Sequence, residues 1–214
     1  MVRHAVERAA GDVRRHPVRT SFLEALLEDA LVTAWRSYAS GDAVKARAQL
    51  RVPGWEPQPG ATDLVFTVAG DRRPTAVAEI KVLDVDQTLW DLIKVMSLLD
   101  GESPFLRGYL IVATTPKRWR DAEVAALYAP PDAAAADGVR EWTTRNLVRR
   151  WERSWKYLLE GGRARPRDIP SGLRTTFLGA HPVPTFPQFE LRAIAVEPFG
   201  DRGRLRFGDD GWPL

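Results

Sequence analysis

Two charged residues of opposite sign stand two positions apart in a segment that the sequence predicts to be a β-strand. This segment, Thr75–Leu83, reads TAVAEIKVL and carries Glu79 and Lys81 among small and apolar residues. Side chains two apart on a strand leave the same face, so the carboxylate and the ammonium group should lie side by side. Asp63 stands at the start of the preceding strand candidate, Thr62–Ala69. Carboxylates beside a lysine can hold a divalent cation and stabilise developing negative charge, as phosphodiester hydrolysis requires.

The connection between the two strands decides whether these residues meet. The linking segment is GDRRP, Gly70–Pro74, which has the length of a hairpin loop and predicts antiparallel neighbours. Asp63 then falls roughly opposite the stretch from Glu79 to Lys81. A slip of one residue in the register would turn Asp63 to the other face of the sheet.

Charged side chains on strands that are expected to be central need compensation, because burying an unpaired carboxylate is costly. A bound divalent cation would supply it. Carboxylate oxygens of Asp63 and Glu79, together with the backbone carbonyl of Ile80, form a hard, oxygen-rich site suited to Mg²⁺ or Mn²⁺. Lys81 could then orient a water molecule or stabilise charge in the transition state. The alternative is an exposed hairpin that carries a surface Glu–Lys pair.

Helix and strand signals surround the hairpin. Thr20–Ala39 has apolar residues at helical spacing, and a second helix is predicted over Gln87–Leu99. A short strand is predicted at Ala48–Val52 and a buried one at Arg107–Thr114. The predicted order over Thr20–Thr114 is therefore one helix, three strands, one helix and one strand.

This order, with PGATD (Pro59–Asp63) opening one strand and EIK (Glu79–Lys81) in the next, resembles the PD-(D/E)XK nuclease superfamily of restriction-endonuclease-like proteins. The resemblance covers about Thr20–Thr114. It implies an α/β fold with an αβββαβ core, in which helices flank a mixed central sheet. A helical and β-stranded extension would follow this core.

The resemblance also implies roles for the charged residues. In the superfamily the Asp and the Glu bind metal and the Lys is catalytic, which points to Asp63, Glu79 and Lys81 here. Pro59 is not adjacent to Asp63, a departure that affects the more dispensable part of the motif. The implied partner is nucleic acid, with DNA favoured, and the dimers common in this superfamily leave a homodimer open.

Other polar residues could complete such a site. The superfamily often adds an acidic residue from the first helix, and Glu24 and Glu28 are four apart on one helical face. Glu24 is better explained as part of a capping box with Ser21, so Glu28 is preferred for the site. Gln87, at the start of the second helix, is a further candidate for lining the site. A solvated stripe on an amphipathic helix would explain Gln87 equally well.

The second half of the chain is predicted to be more irregular. A helix is expected over Arg118–Tyr128 and a long one over Val139–Glu160. Gly161–Pro187 is expected to be mostly loop, with a short strand at Arg174–Leu178, and Phe189–Glu197 is a good final strand.

The long predicted helix carries alternating aromatic and basic residues. Trp151 and Trp155 would share one face and pack on the core. Another face is basic and could contact a nucleic-acid backbone; its residues are Arg145, Arg149, Arg153 and Lys156. The simpler interpretation of this face is a solvated surface.

Length and composition set the remaining bounds. The 214 residues, 44% hydrophobic and 28% charged, suit a single domain: residues 1–19 as an N-terminal arm, 20–114 as the core and 115–214 as a C-terminal elaboration. The absence of cysteine excludes disulfides, thiolate zinc sites and cysteine nucleophiles. No secretory signal or membrane-length apolar run is seen, so a cytoplasmic protein is expected. The many Ala, Arg, Gly and Pro residues suggest a bacterial source.

The net charge of +3 is a mild bias toward polyanions. Two functions remain open from the sequence. One is a metal-dependent nuclease, and the other is a catalytically inactive protein of nuclease fold that binds nucleic acid or a partner protein.

Overall fold

The computed structural model of the chain describes residues 23–39, 43–45, 50–59, 62–67, 74–100, 107–130, 138–161, 164–183, 186–199 and 203–214. The helices are α1 Leu23–Ala39, α2 Thr88–Leu98, α3 Pro116–Asp121, α4 Thr144–Arg150 and α5 Glu152–Glu160, with a 3₁₀ helix over Glu123–Tyr128. The strands are β1 Ala43–Lys45, β2 Trp55–Glu56, β3 Leu64–Thr67, β4 Pro74–Val82, β5 Arg107–Thr114, β6 Val139–Thr143, β7 Arg165–Pro166, β8 Asp168–Pro170, β9 Gly172–Pro182, β10 Glu190–Pro198 and β11 Arg204–Arg206.

A seven-stranded mixed sheet forms the centre of the molecule. Its strand order is β1-β3-β4-β5-β10-β9-β6. Strands β4 and β5 are parallel, joined through α2, and the other neighbouring pairs are antiparallel. Because β6, β9 and β10 all follow residue 115, the segment expected as an elaboration contributes three of the seven strands.

Alternation along β4 and β5 divides the core into two layers. Ala76, Ala78 and Ile80 of β4 pack in the layer that contains α1, together with alternate residues of β5. Val77 faces the opposite layer, which contains α2 and most of the tryptophans. Since side chains two apart share a face, Glu79 and Lys81 leave β4 on the α2 side.

Helix α1 is held on its layer by a leucine stripe. Leu23, Leu27 and Leu31 recur at four-residue spacing and are at most 2% exposed. Helix α2 is different, because all of its residues are buried, including Asp91 and Lys94. The sheet is thus flanked by helices on both faces, which confirms the predicted mixed α/β architecture.

The first half contains the predicted helix, β3, β4, second helix and β5 in the predicted order, but two short strands, β1 and β2, precede β3 where one strand was predicted. Strands β3 and β4 are antiparallel neighbours, as the short connection predicted. The prediction for Ala48–Val52 is wrong where it can be judged, since residues 50–52 are not in a strand, while residues 48 and 49 lie outside the described part. The arm at residues 1–19 and the loop residues 70–73 also lie outside it.

The long helix predicted over Val139–Glu160 is wrong. Val139–Thr143 is instead strand β6, which pairs antiparallel with β9 at the end of the sheet. The Thr143 side chain then accepts a hydrogen bond from the Asn146 backbone N–H and starts α4. The helical path breaks again at Trp151, where φ is −116° and ψ is 45°.

The loop predicted over Gly161–Pro187 is also wrong. This region holds β7, β8 and the eleven-residue strand β9, which extends well beyond the predicted Arg174–Leu178. Strand β9 gains hydrogen-bonded partners on both sides, β10 and β6. Those partners are distant in sequence, so local composition could not indicate the strand. Of the described helices, none is both long and apolar enough to cross a bilayer.

Candidate metal centre at the edge of the sheet

The end of β3 brings Asp63 to the middle of β4. Leu64 pairs with Ala78, so extending this register by one residue places Asp63 opposite Glu79. Strand β3 does not continue there, and the Asp63 side chain takes over its hydrogen bonding. Its Oδ2 accepts a hydrogen bond from the Ile80 backbone N–H at 2.7 Å. Because the N–H and C=O of one strand residue point to the same side, the Ile80 carbonyl should also face Asp63.

Two ion pairs connect β4 to α2. The Lys94 Nζ lies 2.8 Å from the Glu79 Oε1, with the two side chains 5% and 1% exposed. The Lys81 Nζ lies 3.5 Å from the Asp91 Oδ2, and the Lys81 side chain is 22% exposed. Each charged residue of β4 is thus paired with a residue of opposite charge on α2. The Glu79–Lys94 pair is therefore the deeper one, and the Lys81–Asp91 pair is nearer to solvent.

Burial dominates the acid–base behaviour of both carboxylates in these pairs. Desolvation raises the pKa of Glu79 above its ordinary value, and the Asp91 carboxylate raises it further while Lys94 opposes the shift. Desolvation also raises the pKa of Asp91, with Lys81 and Lys94 opposing. Both groups therefore favour a nearby positive charge more strongly than exposed carboxylates do.

Lys81 stays protonated at neutral pH. Desolvation acts to lower its pKa, but the carboxylates of Asp91, Asp63, Glu79 and Glu24 outweigh it and raise the pKa above the ordinary value for lysine. An ammonium group of this kind cannot act as a general base near pH 7. It can donate hydrogen bonds and stabilise negative charge.

Helix α1 adds two more carboxylates close to Asp63. Glu24, Glu28 and Asp63 each offer an oxygen, and these three atoms lie within 4.8 Å of one another. All three side chains are partly exposed. Desolvation raises the pKa of Glu24, Lys81 opposes, and Asp63 and Glu28 raise it further. Asp63 is thus shared between the α1 carboxylates and the charged residues of β4.

A divalent cation fits this donor set. Carboxylate oxygens are the ligands that Mg²⁺ and Mn²⁺ prefer, and ligand oxygens around one such ion lie roughly 3–4 Å apart for bonds of about 2.1 Å. The trio of Glu24, Glu28 and Asp63 approaches that spacing. Seven ionisable groups affect one another here, and when all are charged they carry three net negative charges: Glu24, Glu28, Asp63, Glu79, Lys81, Asp91 and Lys94.

The trio differs from the ligand set expected from sequence. Glu79 is outside the group of described carboxylates that lie within 4.8 Å of one another, and its Oε1 contacts Lys94 instead. Glu28 is inside it, as the sequence suggested. Gln87 lies at the N-terminal end of α2, about one turn before Asp91. Its backbone N–H donates a hydrogen bond to the Asp84 side chain. The roles of Glu79, Ile80 and Gln87 as site residues stay predictions.

The predicted basic face is divided between two helices. Arg145 and Arg149 belong to α4, whereas Arg153 and Lys156 belong to α5. Arg149 and Arg153 are exposed, but the Arg145 guanidinium donates to the Leu214 carbonyl and Lys156 pairs with Glu160. Trp151 and Trp155 are at most 2% exposed, which confirms that they pack in the core.

Three residues of the site were undervalued from sequence. The sequence favours a cap for Glu24, although its four-residue spacing from Glu28 puts both glutamates on one helical face. The sequence shows Asp91 and Lys94 only as polar residues of the second predicted helix, with no indication of a partner on β4. Their spacing of three along a helix matches the spacing of Glu79 and Lys81 along a strand, because both put the charges on one face.

No protein-family model, curated protein or solved structure matches the chain. The resemblance to the PD-(D/E)XK superfamily therefore stays a prediction. What the protein can do chemically has to follow from the side chains around Asp63 and β4.

Proposed function

We propose that the protein is a metal-dependent nuclease with a restriction-endonuclease-like core, acting on DNA in preference to RNA. One observation carries the proposal. Carboxylates from α1 and from the start of β3 lie within 4.8 Å of one another, and Asp63 also contacts the β4 backbone close to the Lys81 ammonium group. The surplus of negative charge would bind a divalent cation. The lysine beside it would attract a phosphodiester.

The residues divide the chemistry between them. Asp63 would hold the cation, with Glu24 and Glu28 on one side and Glu79 and the Ile80 carbonyl on the other. The bound cation would polarise the phosphodiester and lower the pKa of a coordinated water molecule. Lys81 would donate hydrogen bonds to the developing charge on phosphate oxygens, while Asp91 fixes the position of its ammonium group.

The sheet edge also explains why these residues can be reached by a polymer. Asp63 and both α1 glutamates are partly exposed, and Lys81 is the more exposed lysine of the two pairs. Glu79 lies behind them and is 2% exposed. The reactive surface is therefore formed by Asp63 and Lys81, with Glu79 supporting them from inside.

The test is cleavage of plasmid DNA, single-stranded DNA and RNA in the presence of Mg²⁺, Mn²⁺ or EDTA. We expect cleavage with either cation and none with EDTA. Asp63→Asn should abolish it and Lys81→Met should lower its rate at least about 10²-fold, whereas the matched exposed substitutions Asp29→Asn and Lys117→Met should leave it unchanged. Cleavage by both site variants at the rate of the unmodified protein would contradict the proposal.

A second candidate function is a nuclease-fold module that binds nucleic acid without cutting it. The observation that favours it is the 2.8 Å contact between Lys94 and Glu79, which already occupies an oxygen of the deepest carboxyl group of the site. This candidate predicts nucleic-acid binding that is unaffected by EDTA and by Asp63→Asn. It also predicts that calorimetry detects no binding of Mg²⁺.

A further inference from the structure

Three charged side chains are buried in the described part of the chain: Glu79, Asp91 and Lys94. All three belong to the layer between β4 and α2. Every other residue of α2 is buried as well, and Trp90 of this helix packs against Trp155 of α5 with ring centroids 5.6 Å apart. Helix α2 is thus enclosed between the sheet and another helix. A charged residue in such a position needs a reason beyond solubility.

Stability alone does not supply that reason. Removing two charges from water costs several kcal/mol per ion, and an apolar pair of similar size is often at least as stable as a buried ion pair. The neighbours of Lys94 on α2 include Ile93 and Val95, both fully buried, so an apolar residue would suit this environment. The lysine is better explained by its contact with Glu79 than by packing.

The position of Lys94 bears directly on cation binding. Its ammonium group contacts the Glu79 oxygen that faces α2, at 2.8 Å. A divalent cation coordinated by the same carboxylate would stand within a few ångströms of that ammonium group. Two cations so close in a poorly solvated layer repel each other strongly. Lys94 therefore stands where it competes with a metal ion for the charge of Glu79.

We propose that Lys94 is an internal counter-ion that a divalent cation has to displace from Glu79, so that this lysine sets the metal affinity of the site. The inference rests on the proposed function. In the metal-free protein Lys94 occupies the Glu79 Oε1 and, once Glu79 is ionised, neutralises its charge. In the metal-bound protein the cation takes over the charge of Glu79, and Lys94 turns toward Asp91. Lys94 acts through Glu79 and is a positioning residue.

The decisive variant is Lys94→Met, which keeps the length of the side chain and removes the charge. Titration calorimetry with Mg²⁺ at alkaline pH, where Glu79 is ionised, compares it with the unmodified protein. We expect Lys94→Met to bind Mg²⁺ about 10-fold to 100-fold more tightly, a change as large as the loss seen when a residue that supports a metal ligand is removed, but of opposite sign. Lys94→Arg, which retains the charge, should stay near the unmodified affinity. Lys117→Met, at an exposed lysine of α3, is the matched control.

The opposite result has a clear meaning. If Lys94 merely held Glu79 in place for the metal, Lys94→Met would bind Mg²⁺ more weakly or equally, and the inference would be overturned while the proposed function stood. No Mg²⁺ binding by the unmodified protein would overturn both. A Lys94→Met protein that is unfolded in EDTA should fold when Mg²⁺ is added, since the cation replaces the missing charge. Failure to fold with Mg²⁺ would contradict the inference.

Discussion

The Asp63 carboxylate accepts a hydrogen bond from the Ile80 backbone N–H at 2.7 Å, at the point where β3 has ended and β4 continues. A side chain thus occupies the place of a missing strand carbonyl. This gives Asp63 two tasks, one in the sheet and one in the proposed metal site. The two tasks can be separated, because the first needs an acceptor and the second needs a negative charge.

Asp63→Ala should destabilise the protein, whereas Asp63→Asn should not do so to the same degree. Alanine leaves the Ile80 N–H without its acceptor, which costs about 1–3 kcal/mol, while the asparagine oxygen can still accept. Both variants should lose metal binding. Urea denaturation in EDTA measures the first effect and calorimetry the second, with Asp29→Ala as the exposed control. Equal stability of the alanine and asparagine variants would contradict the structural task.

Lys81→Met should lower the cleavage rate by about 10²–10³-fold, the usual loss when one donor to developing negative charge is removed. It should also destabilise the fold, because Asp91 loses the cation 3.5 Å away. The double variant Lys81→Met/Asp91→Asn removes both charges and should regain stability without regaining activity. Rate assays and thermal unfolding of the two variants check this. A double variant as active as the unmodified protein would refute the role of Lys81.

The sequence indicates the strand half of this site and misses the helix half. The alternation in TAVAEIKVL places Glu79 and Lys81 on one face whatever packs against them. Pairing with Lys94 and Asp91 depends instead on how α2 is rotated against β4, which is decided by the apolar residues that surround that helix. Local patterns carry no such information. Lys94 was therefore visible as a polar residue but not as the partner of Glu79.

The misassigned segment at Val139–Thr143 has a similar cause. Its residues continue the helical spacing that leads to Leu147, Trp151 and Trp155, so the sequence favours one long helix. The segment is a strand because β9 offers it a free edge, with Trp142 opposite Leu173. That edge exists only after the sheet has formed. Tertiary pairing outweighs a modest helical preference at this position.

The stability of the metal-free protein should fall as the pH rises from about 4.5 to about 8. Burial, followed by Asp91, raises the pKa of Glu79 from 4.5 to about 8, although Lys94 opposes the shift. A raised carboxylate pKa means that the native state holds its proton where the unfolded state has lost it. This contribution to stability is complete below pH 4.5 and is lost as the pH passes the native pKa. The pKa values of Asp91 and Glu24 are shifted in the same direction.

Denaturation at several pH values in EDTA tests this dependence. Glu79→Gln, which cannot titrate, should flatten the decline, and Mg²⁺ should reduce it because a cation favours the ionised carboxylate. Asp29→Asn is the control and should keep the slope of the unmodified protein. A stability that rises over the same pH interval in EDTA would show that Glu79 does not have a raised pKa.

The exposed arginines of α4 and α5 give a test of nucleic-acid binding that is independent of the metal. Arg149 and Arg153 are exposed, in contrast to Arg145, which is engaged with the Leu214 carbonyl. If both contact phosphates, Arg149→Ala/Arg153→Ala should weaken DNA binding equally for all sequences. The slope of log affinity against log salt should fall in magnitude by about 1.8, since each neutralised phosphate contributes about 0.9. Fluorescence anisotropy at several salt concentrations measures this, with Arg36→Ala as the exposed control on α1. An unchanged slope would show that these arginines do not contact phosphates and belong to a solvated surface.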